Sequence, residues 1–513
     1  MKKITAYIRS NYLNIFILIM ISFSLSMEIY SIAVHKSFWL DEFFLIDNVK
    51  FSPPLELMGK LKYTQQFPRI YLLLIKWIGH AMKYSHYAFR LLPTSIQIVN
   101  ILFVYYLFRC RFYDGNKNKI LIAFLLFMTN FTTVMYFTQF KQYTMEVFAA
   151  LVAIYQFFAI KKLLREGLCN KRYILISALF FIMPFFSYTY PICAVPLIGM
   201  LAFSFFYGSK DTSAVKMLII PVIFFISSIV IVFFIDIKNV LADPIMNSYW
   251  RKYMVDYKNV NAFFSNLRFS TINLFTILFN TKRKYGNIFF DTAIILLKTS
   301  IGLIAAAGFI VNIIDAAKRI IKSRSLRPIG LSDSSIGIYF VLLFFLLYFC
   351  YFFIKLPLGP RRLNYFAVPM MIYFFIDGIH AFTDRYSIIK VLKKIYIYSL
   401  LVVLMGLFIK LYLNELNGLN TIFDQKAYDN YGLSIRSAYE KNAIIAILDE
   451  ALPFHHTMFL KAHPAYKTYD QILVLHVMDI SELYNEKNIA DNRNIVVVKK
   501  YTYSIRSFRE LCR

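Results

Sequence analysis

The sequence predicts an all-α polytopic membrane protein. It reads as a bundle of about eleven transmembrane helices, with interfacial helices in the first external loop and a small external α/β domain at the C-terminal end. Three observations carry this. First, 59% of the 513 residues are hydrophobic and the mean hydropathy is +0.55, whereas a soluble domain is about 45–50% apolar. Second, apolar runs long enough to cross a bilayer recur from Tyr12 to Leu413. They are continuous and not alternating, which favours helices over a barrel. Third, the composition turns polar and mixed after about residue 414, and a stretch of roughly 100 residues suffices for a small domain.

The predicted spans cover approximately residues 12–34, 88–109, 120–139, 143–162, 172–188, 191–208, 215–235, 292–314, 336–355, 364–383 and 392–413. Lys2, Lys3 and Arg9 precede the first. Its apolar run is too long for the core of a signal peptide, so it reads as a retained span.

The formal net charge of +28 would suggest a nucleic-acid partner in a soluble protein. Here much of the excess falls in four short loops. They hold Arg109, Arg111, Lys117 and Lys119; Lys161, Lys162, Arg165, Lys171 and Arg172; Lys318, Arg319, Lys322, Arg324 and Arg327; and Arg385, Lys390, Lys393 and Lys394. With the N-terminus inside, the positive-inside rule puts all four in the cytoplasm, and no nucleic-acid partner is expected. The loop 35–87, the turn Thr138–Tyr143, the loop 236–291 and everything after about 414 then lie outside. All the large extramembrane mass falls on that face.

Each external segment has its own reading. In the first loop Asp41 and Glu42 open an acidic helix that Pro53 and Pro54 break. The run Ile70–Ile75, with Lys76, Trp77 and Lys83 around it, describes a helix lying in the interface. The loop 236–291 is basic, with Arg251, Lys252, Lys258, Arg268, Lys282, Arg283 and Lys284. Long loops translocate regardless of charge, and the same cations would also attract an anionic lipid or a phosphate-bearing substrate. In the tail, Asn442–Leu452 shows helical periodicity, Thr457–Leu460 reads as a strand, His463 opens another helix, and Asn494–Val498 is a strand. The five cysteines show neither metal-type spacing nor a disulfide framework, and His455-His456 reads as a surface pair, so no metal site is assigned.

The chemistry-bearing residues converge on the outer face. Asp41 and Glu42 sit beside the apolar layer just past the first span, where carboxylates lose hydration. Arg69 follows Gln65-Gln66-Phe67-Pro68, Arg90 stands at the mouth of the second span, and Arg362 enters the tenth. Glu146 lies about one turn inside the apolar layer, with Gln142 at i−4 and Tyr143 at i−3 on the same face. It reads either as half of a buried ion pair with Lys141 or an Arg, or as a functional acid. Cations can stabilise a developing phosphate charge, and a carboxylate can take the proton of an attacking hydroxyl. The set therefore suits displacement of a phosphate leaving group at a membrane.

At this point the chain resembles the GT-C superfamily of integral-membrane glycosyltransferases, in the branch of aminoarabinose and protein mannosyltransferases (glycosyltransferase family 39-like). The resemblance rests on Asp41-Glu42, Gln66-Phe67-Pro68 with the run from Ile70, Arg90-Leu91, the stretch Gln139 to Glu146, and Arg362 to Pro369. Gln139 stands where many members have Glu, and Glu146 where they have Asp. The resemblance implies a polyprenyl (undecaprenyl)-phosphate-linked sugar donor, inversion at the anomeric carbon and transfer on the outer face of a bacterial inner membrane. It implies Asp41 as general base, Glu42 in a minor role and Glu146 as a further acid. Lys141, Arg90, Arg362 and Tyr143 would hold the donor phosphate. Some members bind a divalent metal near the first-loop acid, and this sequence leaves that open. The basic outer loop favours an anionic glycolipid or polysaccharide acceptor, with O-antigen or lipopolysaccharide glucosylation as the first expectation. Lipid A or protein glycosylation is the same-class alternative. An O-antigen polymerase or a flippase of lipid-linked sugars is the alternative from other classes.

Overall fold

The computed structural model describes residues 2–33, 40–61, 65–168, 170–207, 212–238, 253–255, 257, 259–279, 288–323, 329–331, 334–354, 356–358, 360–381, 387–416, 444–448, 474–477, 494–499 and 502–507. The chain divides into two units, Met1–Tyr30 with Pro53–Glu415, and Ser31–Ser52 with Leu416–Arg513.

Among the described residues the helices run in the order α1 (Lys2–Ala33), α2 (Leu40–Phe51), α3 (Pro54–Leu57), α4 (Arg69–Ala81), α5 (His86–Leu107), α6 (Lys117–Met128), α7 (Phe131–Met135), α8 (Tyr143–Arg165), α9 (Lys171–Ile182), α10 (Tyr190–Tyr207), α11 (Thr212–Val232), α12 (Val260–Phe275), α13 (Ile288–Ser323), α14 (Ile336–Phe353), α15 (Val368–Ala381) and α16 (Ser387–Leu416). α5 and α11 each run on into a π turn, Phe108–Phe112 and Phe233–Ile237. Among the described residues eight helices are long and apolar enough to cross a membrane: α1, α5, α8, α10, α11, α13, α14 and α16. The chain is a multi-pass membrane protein.

Three predicted spans are shorter than expected, each for a local reason. The run at 120–139 breaks because Thr129 ends α6 and the Asn130 side chain caps α7 by accepting from the Thr132 N–H. The run at 172–188 ends early because Pro184, which has no N–H, sits in a 3₁₀ turn, Met183–Phe185. The run at 364–383 opens as a 3₁₀ segment, Arg361–Ala367, before α15 begins. The predicted interfacial helix is α4, and Pro54 sits at the first position of α3 just after α2 ends.

Small residues let two helices of the larger unit cross closely. A Cβ on Gly308 of α13 would strike the Phe374 carbonyl of α15, and one on Gly378 would strike the Ile304 carbonyl. Beside this crossing, Asn312 Nδ2 donates to Asp377 Oδ2 at 3.0 Å. The loop 236–291 holds more than surface coil. Asn259 caps α12 by accepting from the Ala262 N–H, and Leu274, Ile277 and Leu278 beyond it are fully buried.

The smaller unit contains α2 and a four-stranded sheet of order β2-β1-β3-β4, with β1 Ile444–Leu448, β2 Val474–Val477, β3 Asn494–Lys499 and β4 Thr502–Ser507. β1 pairs in parallel with β2 and β3, and β3 pairs antiparallel with β4. The strand expected at Asn494–Val498 is β3. The helix expected over Asn442–Leu452 is instead β1. Its run Ile444-Ile445-Ala446-Ile447-Leu448 is continuously apolar, as a parallel strand covered on both faces would be, and periodicity does not separate that from a buried helix. The expected strand Thr457–Leu460 and the helix from His463 lie outside the described residues.

Candidate active site

The turn from Thr138 to Glu146 is built by three breaks in helical structure. Asn130 stops α6, the chain turns at Tyr136–Gln142, and α8 begins at Tyr143. A polar ladder inside the bundle holds this turn in place. Asn100 Nδ2 donates to the Thr144 carbonyl at 2.8 Å and to Gln97 Oε1 at 3.2 Å. Gln97 Nε2 donates to the Tyr365 hydroxyl at 3.1 Å, which in turn donates to Thr133 Oγ1 at 3.0 Å. All of these groups are buried. Buried polar side chains that satisfy one another fix geometry strongly, because each would be costly alone.

Around the turn lie four of the predicted site residues. Arg90 is 1% exposed and donates from Nη1 to the Thr138 carbonyl at 2.8 Å. Lys141 is buried and donates from Nζ to Gln65 Oε1 at 3.1 Å. The Tyr143 ring lies 4.5 Å from that of Tyr136, which lies 6.4 Å from that of Tyr365. Glu146 occupies the first turn of α8, where a carboxylate suits the helix dipole. It is 3% exposed, and Oε2 has no hydrogen-bond partner. Among the described residues no salt bridge to Glu146 is seen.

Other polar atoms at the turn are also buried without a hydrogen-bond partner: Thr138 Oγ1, Gln139 Oε1, Gln142 Oε1 and Thr144 Oγ1. The two Gln oxygens are acceptors, and the two Thr hydroxyls can donate or accept. The Tyr71 hydroxyl of α4 is buried beside Thr144. Burial pushes the Tyr71 phenol up, so it stays protonated as a donor. Orphaned polar groups concentrated in one place mark where a ligand or water belongs.

Sequence reasoning singled out Arg69 but missed the acid that partners it. Arg69 Nη2 and Asp236 Oδ1 form an ion pair at 3.0 Å, each side chain 3% exposed. The Tyr188 hydroxyl donates to Asp236 Oδ2. Asp236 lies in the π turn that ends α11, and such turns re-aim a side chain by one residue. The sequence signal was an acid at the end of an apolar run. Glu28, fully buried on α1 near Tyr412, carried the same signal.

The remaining predicted residues stand apart from this description. Arg362 is half-buried on the 3₁₀ segment Arg361–Ala367, which packs on α8. Asp41 and Glu42 lie on α2, in the smaller unit, where Glu42 is buried and the Asp41 side chain is outside the description. Among the described residues no three His, Cys, Asp or Glu side chains gather as a metal site would require.

No family model matches the chain, and no curated protein matches it. Among solved structures the chain is similar to ArnT from Cupriavidus metallidurans, in its apo crystal structure. The identity is 12%, covering 94% of this chain and 92% of that one, with a TM-score of 0.46.

Proposed function

We propose that this protein is an inverting membrane glycosyltransferase of the GT-C type. It would move one sugar from a polyprenyl-phosphate donor to an external glycan or glycolipid, with O-antigen or lipopolysaccharide glucosylation as the first candidate, in a bacterial inner membrane. The observation that supports the reading is the cradle of buried polar atoms without hydrogen-bond partners at Thr138–Glu146, flanked by Arg90 and Lys141. A sugar's hydroxyls both donate and accept, which suits a mixed set of amide, carboxyl and hydroxyl oxygens. The cations suit a phosphate, and a lipid tail accounts for a polar site set in an apolar bundle.

The reaction forms a bond between the acceptor oxygen and the anomeric carbon while the bond from that carbon to the phosphate oxygen breaks. The electron pair leaves with the phosphate, whose added charge Lys141, Arg90 and Arg362 stabilise. The hydroxyl proton passes to a carboxylate. The family resemblance implies Asp41 for that role, and Glu146 would hold the sugar hydroxyls.

The test is mass spectrometry of surface glycans from cells with and without the gene. A glycan repeat or lipid core heavier by one sugar only when the gene is present is the expected result. A change in polymer length with unchanged repeat mass would overturn the reading in favour of a polymerase.

A further inference from the structure

We infer that α12 is a re-entrant membrane helix, entering the bilayer N-terminus first, ending near its mid-plane, and presenting its outward face to lipid acyl chains. The inference rests on neither the proposed reaction nor the sidedness of the chain.

Depth follows from the partners that α12 meets along α14, a helix long and apolar enough to span. The Tyr257 hydroxyl, just before α12, donates to the Phe352 carbonyl. Phe263 stacks on Phe352 with ring centroids 6.2 Å apart. About two turns further along α12, the Tyr348 hydroxyl donates to Thr271 Oγ1 at 2.8 Å. At the far end Phe275 meets Phe344 at 5.5 Å. As α12 advances, its partners therefore recede from the end of α14 toward its middle. From Phe353 to Phe344 is about 13 Å at 1.5 Å per residue, close to half of a hydrocarbon core about 30 Å thick.

The tip is enclosed by spanning helices. Phe275 also packs on Phe309 of α13 at 6.3 Å, and a Cβ on Gly302 of α13 would lie 3.1 Å from the Thr276 methyl. Backbone that leaves helical form inside a bilayer must be covered by protein and have its polar groups satisfied. The described residues at the tip are covered in this way, and two of their carbonyls accept from side chains. Leu274, Ile277 and Leu278 are fully buried, Asn130 Nδ2 donates to the Ile277 carbonyl at 2.7 Å, and Thr276 Oγ1 donates to the Ile272 carbonyl at 2.6 Å. This gives Asn130 a second task beyond capping α7.

The outward face is apolar along its whole length, with a few polar residues near its start. Val260 and Phe264 are exposed with Asn261 and Ser265 near the N-terminus, and Phe269 and Ile272 are exposed toward the tip. Arg268 is exposed between them. Helical side chains tilt toward the N-terminus, so its guanidinium reaches back to the headgroups while its stem lies along apolar surface. Phe345, Phe349 and Phe353 are exposed on α14, the helix α12 packs against. Residues so apolar, at that depth, fit acyl chains.

The test uses the wild-type protein in nanodiscs containing phosphatidylcholine with a diazirine at mid-chain. After irradiation and digestion, mass spectrometry should find lipid adducts on the peptide spanning Phe264–Ile272, as on Phe345–Phe353. Adducts on the second peptide without the first would overturn the inference. A second measurement places spin labels at Asn261→Cys or Ile272→Cys in a background without native cysteines. The label at 272 should collide several-fold more with oxygen, and several-fold less with a water-soluble nickel chelate, than the label at 261. Equal nickel access at the two sites would make α12 a water-exposed surface helix.

Discussion

A carboxylate at 3% exposure with one oxygen unpartnered is expensive to keep. If Glu146 binds sugar hydroxyls, Glu146→Gln keeps the size and one acceptor but cannot ionise. The variant should melt at a higher temperature than wild type and transfer at least about 100-fold more slowly, since stability and activity trade off at such sites. Thermal unfolding and transfer rate in the same detergent check both halves. A Gln variant with wild-type transfer would reduce Glu146 to a structural acid. The cations should behave differently from the base. Asp41→Asn removes only a proton acceptor and should cut transfer by roughly 100-fold while leaving donor binding intact. Arg362→Ala and Lys141→Ala should weaken donor binding itself, because the phosphate is charged before the reaction begins. Binding of a short-chain polyprenyl-phosphate sugar to purified protein separates the two. Wild-type binding by both cation variants would place the phosphate elsewhere.

At the scale of elements, the crossing of α13 and α15 makes the sharpest demand on sequence. Gly308→Ala places a methyl against the Phe374 carbonyl and the Gly378 N–H, so the two helices must separate. Overpacking of this kind costs about 1–3 kcal/mol or more, and the variant should show a lower melting temperature and a poor yield of monodisperse protein. Gly199→Ala and Gly406→Ala, with nothing within 4 Å of the added carbon, should behave like wild type. The same elements show what was legible beforehand. α5, α8 and α14 were readable because each is an apolar run long enough to span, and that depends on composition alone. α6 and α9 were overextended because their ends are set by a side-chain cap at Asn130 and a missing donor at Pro184, which a hydropathy window averages away. β1 was misread because a short apolar run carries no period. The turn at Thr138–Glu146 was visible as polar residues between two apolar runs. Asp236 was not, because the predicted boundary at 235 handed it to a loop, and only its pairing with Arg69 reveals that it turns inward.

At the scale of the molecule, everything functional depends on which face each loop occupies. The basic loops assign the N-terminus, Cys110 and Cys169 to the cytoplasm and the C-terminal segment with Cys512 to the outside. Cys110 is exposed, so its accessibility reports the membrane and not the fold. Cys193 and Cys350 are buried and should not react with a thiol reagent in folded protein. In sealed spheroplasts a membrane-impermeant maleimide should therefore leave Cys110 unmodified and label Cys512. After permeabilisation Cys110 should become labelled too, read by mass spectrometry of the modified peptides. The rule behind the assignment is statistical and is applied here against a strongly basic 236–291 loop on the opposite face, so the outcome is not trivial. Labelling of Cys110 in sealed cells would invert the bundle. Arg90, Lys141 and Glu146 would then open to the cytoplasm, where a donor exposed on the outer leaflet could not reach them. The proposed transfer would fail with the topology, whereas the depth of α12, read only from its partners on α13 and α14, would survive the inversion.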